Sequence, residues 1–263
     1  MSEPPFSVIH LRDGTLGKLV RLYHEVTSTN DLARTLAANN APEGTTVVSE
    51  KQTTGRGRNG RPWFSPPGGL WASIILRPTD DGNIPLVPIA CGVAAAKAII
   101  DVADVKIGLK WPNDLCVRQR KLGGILVERS YTESTTGALI VGIGINVRNK
   151  SSDLPPDLAT TAISLRDLGK DVDPLHLLRE ILGEMEIRYE PVGSRKTSDL
   201  LDEWRKLSST LGRKVVVKSN RGSYCGIAVD IDSTGALMIE RSDNSIVAVS
   251  STEALEAKTD GIL

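Results

Sequence analysis

The chain has 263 residues, 40% hydrophobic and 24% charged, with 32 basic against 32 acidic side chains and a net charge of zero. That balance excludes a disordered chain, leaves room for one sizeable core plus a small second domain, and lacks the basic excess of a broad nucleic-acid surface. No apolar run approaches the ~20 residues needed to span a bilayer, and the opening MSEPPFSVIH carries an acid and prolines where a signal peptide has a basic then an apolar stretch, so the expected address is the cytoplasm.

In chain order, Leu19 to Val26 alternates as a strand, and Ser28-Thr29-Asn30-Asp31 then caps an amphipathic helix carrying Leu32, Ala33, Leu36 and Ala37. Thr45 to Lys51 reads as a strand, an Arg/Gly loop follows, and Leu70 to Leu76 is a second strand. Ile84 to Val102 has the length and Ala/Ile/Val content of a helix buried against the sheet. Strands are expected over Lys106 to Trp111, Leu115 to Arg118, Gly124 to Arg129 and Ala138 to Val147, followed by a loop over 148–158. Helices are expected over Ala162 to Leu168, Leu175 to Tyr189 and Asp199 to Leu207. From Leu211 the texture changes to four short strands, Lys214 to Lys218, Tyr224 to Ile231, Ala236 to Glu240 and Ile246 to Val249, which predict a small β-barrel.

The loop Thr53 to Pro67, TTGRGRNGRPWFSPP, has three arginines and no acid. Gly55, Gly57 and Gly60 permit positive φ and close approach to a ligand, while Arg56, Arg58 and Arg61 offer forked donors to phosphate or carboxylate. In a neutral protein that points to a small anionic ligand. The Gly55-x-Gly57-x-x-Gly60 spacing matches a dinucleotide fingerprint, but the prolines at 62, 66 and 67 exclude the helix that fingerprint must open, and no Walker A sequence is present. Cys91, Cys116 and Cys225 are too scattered for a disulfide framework or zinc site, and His10, His24 and His176 are isolated. A general base is therefore left to a carboxylate, a lysine or the substrate itself.

Four further clusters fall at strand ends: Thr27-Ser28-Thr29-Asn30, Lys110-Trp111-Pro112-Asn113-Asp114, Lys121-Leu122-Gly123-Gly124-Ile125-Leu126-Val127-Glu128, and Val141-Gly142-Ile143-Gly144-Ile145-Asn146-Val147. Taken singly, each is ordinary: a solvated lysine, a turn, or close packing at a glycine. In this order, flanking GRGRNGRPWFSP, they resemble the biotin protein ligases from about Tyr23 to the C-terminus, with GRGR-x-GR-x-W, KWPND, KL-x-GIL-x-E and G-x-G-x-N all intact.

The resemblance implies an α+β fold: a central mixed sheet flanked by helices, of the class II synthetase-like type, over 1–209, and an SH3-like barrel over 210–263. It implies ATP-dependent formation of biotinyl-5′-AMP with release of pyrophosphate, then transfer of biotin to one lysine of a biotin carboxyl carrier domain of a carboxylase. ATP, Mg²⁺ and biotin are the implied ligands. Arg58, Lys110, Asp114 and Lys121 form the implied catalytic set. Arg58 and Lys121 would lie near the joined carboxylate and phosphate, Arg61 on the ATP phosphates and Trp63 against the adenine. Asn113 and Asp114 would orient the nucleotide, with Asp114 holding Mg²⁺ or assisting deprotonation of the incoming lysine. Ser28, Thr29, Asn30 and Gln52 can satisfy a buried ureido group. Gly55, Arg56, Gly57, Gly124, Gly142, Gly144 and Asn146 complete the implied binding set, the strand glycines (with Gly123) leaving backbone open to the bicyclic ring and valeryl chain. Family members that also act as repressors carry a winged-helix domain, for which the 26 residues before Thr27 leave no room, so DNA is not an expected partner. A homodimer through edge strands of the central sheet is compatible with the resemblance. The alternatives are a lipoate-protein ligase and a non-catalytic biotin- or nucleotide-binding regulator.

Overall fold

A computed structural model of the chain describes residues 4–78, 81–132, 135–189 and 196–259, so the chain's first three and last four residues lie outside it. Its strands are β1 (Phe6–Ile9), β2 (Val20–Val26), β3 (Thr46–Gln52), β4 (Leu70–Leu76), β5 (Gly108–Lys110), β6 (Asp114–Val117), β7 (Arg120–Thr132) and β8 (Thr135–Ile145), followed by β9 (Lys214–Ser219), β10 (Gly222–Ile231), β11 (Leu237–Glu240), β12 (Ile246–Val249) and β13 (Ala254–Thr259). The helices are α1 (Thr29–Ala38), α2 (Val87–Ala103), α3 (Pro156–Ala159), α4 (Pro174–Tyr189) and α5 (Lys196–Leu207).

The first eight strands form one sheet in the order β1-β2-β3-β4-β8-β7-β6-β5. The pair β2 and β3 is parallel, because the chain between them crosses over through α1; the other neighbours are antiparallel. Every residue of β4 is buried, as a strand covered on both faces must be. One face, with Val47, Ile75, Ala138 and Ile140, packs under Ala33, Leu36 and Ala37 of α1. The opposite face, with Leu70, Ile74, Leu139, Val141 and Ile143, packs under α2 and α4. The remaining five strands form a second antiparallel sheet, ordered β12-β11-β10-β9-β13. Its Val215, Val217 and Ile239 join the same hydrophobic cluster as α2 and α5.

Several expectations need correction. The segment 162–168 is not a helix. Ala162 instead pairs in parallel with Lys121, the Lys121 N–H donates to Thr161 O at 2.8 Å, and the Ile163 N–H donates to Lys121 O at 2.9 Å, leaving only Arg166–Leu168 as a 3-10 turn. Backbone pairing with an open strand edge outweighs helix propensity there. The strand expected over Lys106 to Trp111 shrinks to three residues before a cis Trp111–Pro112 bond, and β1 and β13 escaped the sequence reading. The helical run Ile84–Ala103 is long and apolar enough to cross a bilayer, contrary to the composition reading, but two thirds of it is buried inside the protein, as in a core helix. In the Arg/Gly loop, positive φ falls on Asn59 (56°) and Gly60 (71°), while Gly57 is extended with φ of −103°, so only one of the three glycines uses the left-handed region.

Candidate active site

The register of the sheet gathers the motifs. Opposed residues in adjacent antiparallel strands point to the same face, so the pairs Ser49↔Trp71, Trp71↔Gly144, Gly144↔Gly124, Gly124↔Asp114 and Asp114↔Lys110 make one row across six strands. The next row is Val47, Ser73, Gly142 and Leu126. Both lie on the face that α1 covers further along. Where Ile140 gives way to Gly142 and Gly144 beyond the helix N-terminus, that face opens into a cavity of about 260 Å³. By strict alternation Lys121 would point to the other face. The β6–β7 register shifts between Leu115 and Cys116, so that Cys116 pairs with Lys121, and this irregularity aims the lysine into the cavity beside Asp114. Its Nζ lies 2.7 Å from Asp114 Oδ1.

Of the residues in the implied catalytic and binding sets, all except Gly55 line this cavity, whereas Gly60 and Gly123, also expected near the ligand, do not. Gly55 sits behind it, where a Cβ would lie 2.6 Å from Trp63 O; its role is to let the loop fold back on itself. Ser28, Thr29 and Asn30 form a buried polar cluster at the first turn of α1. Ser28 occupies the N-cap position without a side-chain capping bond, and its Oγ instead accepts from Arg56 Nη1 at 3.2 Å. Gln52 Oε1 accepts from Thr29 N at 2.8 Å and from Thr29 Oγ1 at 3.1 Å, and its Nε2 donates to Ser65 Oγ at 2.8 Å. Ser73 Oγ, which the sequence reading overlooked, lies 2.7 Å from Thr29 Oγ1 and 2.6 Å from Asn30 Oδ1. The strand glycines accommodate protein as well as open space. A Cβ on Gly142 would lie 2.4 Å from Asn30 Oδ1, and one on Gly144 would lie 2.8 Å from the Trp63 indole.

The three loop arginines differ. Arg56 is paired with Asp31 at 2.7 Å and with Glu128 at 2.9 Å, so its charge is neutralised by protein carboxylates and is not offered to a ligand. Burial works against its charge, and Asp31 and Glu128 together outweigh that and raise its pKa. Arg58 reaches away from the sheet to the carbonyl of Ser251 and, at 2.8 Å, to that of Ala254. Arg61 is exposed at the cavity rim. Trp63 lies over Gly144 with Lys121 Nζ 5.0 Å from its ring, and its buried Nε1–H has no partner. Among the described residues that is an orphan donor in the wall of the cavity.

The opposite wall is cationic. Burial lowers the Lys110 pKa despite the attraction of Asp114, and burial likewise lowers that of Arg58, with Asp114 opposing and the neighbouring Arg61 assisting. Cys116, buried below them, is pushed up to about 12 by burial and then by Asp114, which keeps it a thiol. Cations held against their preference are relieved by an incoming anion, which suits this wall to a polyphosphate. Asn113 Nδ2 donates to Ile125 O at 2.7 Å, and Asn146 is spent within the fold, donating to Ile163 O at 3.2 Å and accepting from Asn149 at 3.0 Å. Glu256 and Ala257 of β13 also line the cavity. No local motif marks them, because they arrive from the second sheet. Among the described residues no group of three or more His, Cys, Asp or Glu side chains could hold a metal by itself. One carboxylate, Asp114, and one amide oxygen, that of Asn113, suit an Mg²⁺ ion delivered on substrate phosphates.

Residues 23–146 match the Biotin/lipoate A/B protein ligase family, and residues 210–254 match the Biotin protein ligase C terminal domain. The chain is 36% identical over 226 residues to the bifunctional ligase/repressor BirA of Bacillus subtilis, covering 84% of this chain and 70% of that one. It is 31% identical over 263 residues to the biotin–[acetyl-CoA-carboxylase] ligase of Mycobacterium tuberculosis, covering 93% of this chain and 94% of that one. The Aquifex aeolicus biotin protein ligase in complex with biotin and ATP superposes with a TM-score of 0.81 at 28% identity, covering 92% of this chain and 99% of that one.

Proposed function

The chain belongs to the biotin/lipoate protein ligase family, and from that premise we propose the division of labour among its residues. It is an ATP-dependent, AMP-forming biotin–protein ligase with an SH3-like final domain. The observation that carries the mechanism is one cavity with two chemically different ends: a neutral polar cluster at the N-terminus of α1, and a cationic wall of Lys110, Lys121 and Arg58 with Asp114 among them.

The polar end suits an uncharged ureido group, which needs donors and acceptors at fixed places. The cationic end suits the α-phosphate and the carboxylate that attacks it. A carboxylate oxygen of biotin bonds to the α-phosphorus as the bond to the pyrophosphate oxygen breaks, and two anions must approach for that to happen. Lys121 and Arg58 stabilise the charge that grows on the phosphate oxygens, Arg61 meets the departing phosphates, and Trp63 lies against the nucleotide. Asp114 and Asn113 would hold an Mg²⁺ ion delivered on ATP, which would supply further charge neutralisation. In the second step a neutral lysine amine attacks the anhydride carbonyl, AMP leaves, and Asp114 is the carboxylate placed to take the proton.

The acceptor is a lysine on a biotin carrier domain. We assign residues 1–209 to the catalytic unit and 210–263 to the SH3-like unit, with a cytoplasmic address. We also propose a homodimer through the open edge strand β1, whose Phe6 and Val8 are exposed, which equilibrium sedimentation will test. DNA binding forms no part of the reading. The central test is ATP–pyrophosphate exchange with purified protein in the presence of biotin, lipoate or octanoate. Exchange with biotin alone is expected. Exchange driven by lipoate instead would move the chain to the sister activity, and none with any acid would leave a binding protein.

A further inference from the structure

The charge cluster behind the polar end has no assigned role. Arg34 and Arg56 face Asp31 and Glu128 in a network of two positive and two negative groups, every pair within 3.1 Å. Glu128 belongs to the face of the sheet that carries the cavity, since it pairs with Ile140, two residues from Gly142. Its carboxylate is three-quarters buried; it accepts from Asn30 Nδ2 at 2.7 Å, Arg56 Nη2 at 2.9 Å and Arg56 Nε at 3.3 Å, and pairs with Arg34 Nη2 at 3.1 Å.

The bond to Asn30 settles which end of that amide faces the cavity. An asparagine amide can turn over at little cost unless its neighbours discriminate oxygen from nitrogen. Ser73 does not discriminate, because a hydroxyl donates and accepts alike. An ionised carboxylate only accepts, so Glu128 holds the NH₂ group to itself, and the Asn30 oxygen is left facing Ser73 and Gly142. Asn30 is 4% exposed, so water cannot substitute for a misplaced partner. Arg34 and Arg56, paired with Glu128 at 3.1 and 2.9 Å, fix its position.

We propose that Glu128, held by Arg56 and Arg34, is a positioning residue that makes Asn30 an acceptor for the N–H groups of the ureido ring and so contributes to the choice of biotin over acids without such donors. This rests on the biotin reading above. The amide acts on the substrate, and Glu128 acts through it.

The test is a double-mutant cycle on biotin binding, measured by calorimetry without ATP, with wild type, Glu128→Ala, Asn30→Ala and the double variant. Glu128→Ala is expected to weaken biotin binding roughly 30-fold in the wild-type background, the scale of a lost charge-assisted hydrogen bond. In the Asn30→Ala background the same change should cost less than about threefold, because its target is gone. Binding of ATP alone should stay within about threefold throughout, whereas a general loosening of the site would move both ligands. Equal losses in both backgrounds, or a wild-type-like Glu128→Ala, would overturn the inference. Should a variant fail to fold, Glu128→Leu and Asn30→Val, which also remove the acceptor and the amide, take the same corners with the same expectation. Wild-type protein that binds no biotin would overturn the parent reading instead, so the two failures are distinguishable.

Discussion

Gly142, Gly144 and Gly124 lie in one patch of the sheet, yet alanine at each should have a different effect. At Gly142 the new Cβ would stand 2.4 Å from Asn30 Oδ1, about 1 Å inside the 3.4 Å at which ordinary contact begins. Asn30 cannot yield freely, because it is held at 2.7 Å by Glu128 and at 2.6 Å by Ser73. Moving it by that amount stretches both hydrogen bonds past their useful range, and losing one neutral and one charge-assisted bond costs about 2–4 kcal/mol. If the loss falls on biotin binding, the dissociation constant rises by roughly 30- to 1,000-fold. At Gly144 the Cβ would stand 2.8 Å from the Trp63 indole, which sits on a loop and can retreat at the expense of its place in the cavity, with an expected loss of about tenfold or more in kcat/KM for ATP. At Gly124 the nearest atoms, Asp114 Oδ1 at 3.4 Å and Asn113 O at 3.5 Å, are at normal contact, and alanine should be tolerated within about threefold. Pyrophosphate exchange with biotin and ATP titrated separately, beside a thermal melt of each variant, measures all three. Equal damage at 124 and 142, or a Gly142→Ala protein with unchanged KM for biotin, would refute the spatial argument.

Arg58→Ala should lower the rate of adenylate formation by about 10²- to 10³-fold with the melting temperature little changed, and an activity within a few-fold of wild type would remove Arg58 from the mechanism. Lys121→Ala should abolish exchange while the protein stays folded, since its ion pair with Asp114 is partly solvent-exposed; a collapsed melting transition would mark a structural lysine. The loop 53–67 should be cut more slowly by trypsin when biotin and ATP are both present, because an anion relieves the repulsion between Arg58 and Arg61, and unchanged cleavage would count against closure. Burial opposes the charge of Glu203, but hydrogen bonds and attraction from Arg188 and Lys97 outweigh it and lower its pKa. The group therefore contributes stability above its unfolded value near 4.5, which is lost as pH falls through the folded value. Glu203→Gln should accordingly be less stable than wild type at pH 7, with a smaller further loss between neutral pH and the acid range; urea melts at both ends will measure it.

Local pattern alone determined much of this protein. Alternation and capping located β2, α1, β3 and β4, and the Ala-rich helix α2, because the period of apolar residues reports which face is buried whatever the partner. Motif composition marked the residues that line the cavity, since an anion site needs arginine, lysine and glycine and a ureido site needs hydroxyls and amides. Local pattern could not determine partners. Arg56 and Arg58 look equivalent in GRGR, but Asp31 and Glu128 arrive from α1 and β7 to neutralise one, while Ser251 and Ala254 arrive from the second sheet to hold the other. Lys121 faces the cavity because β6 and β7 slip register beside it, and register is a property of the pair of strands. Segment 162–168 had helical composition but met an unfilled strand edge, and Glu256 reached the cavity only when the two sheets packed together. Each of these outcomes depends on groups far apart in the chain meeting in space. A one-dimensional reading sees the chemistry each group brings, and the fold decides which of them is left free to act on the substrate.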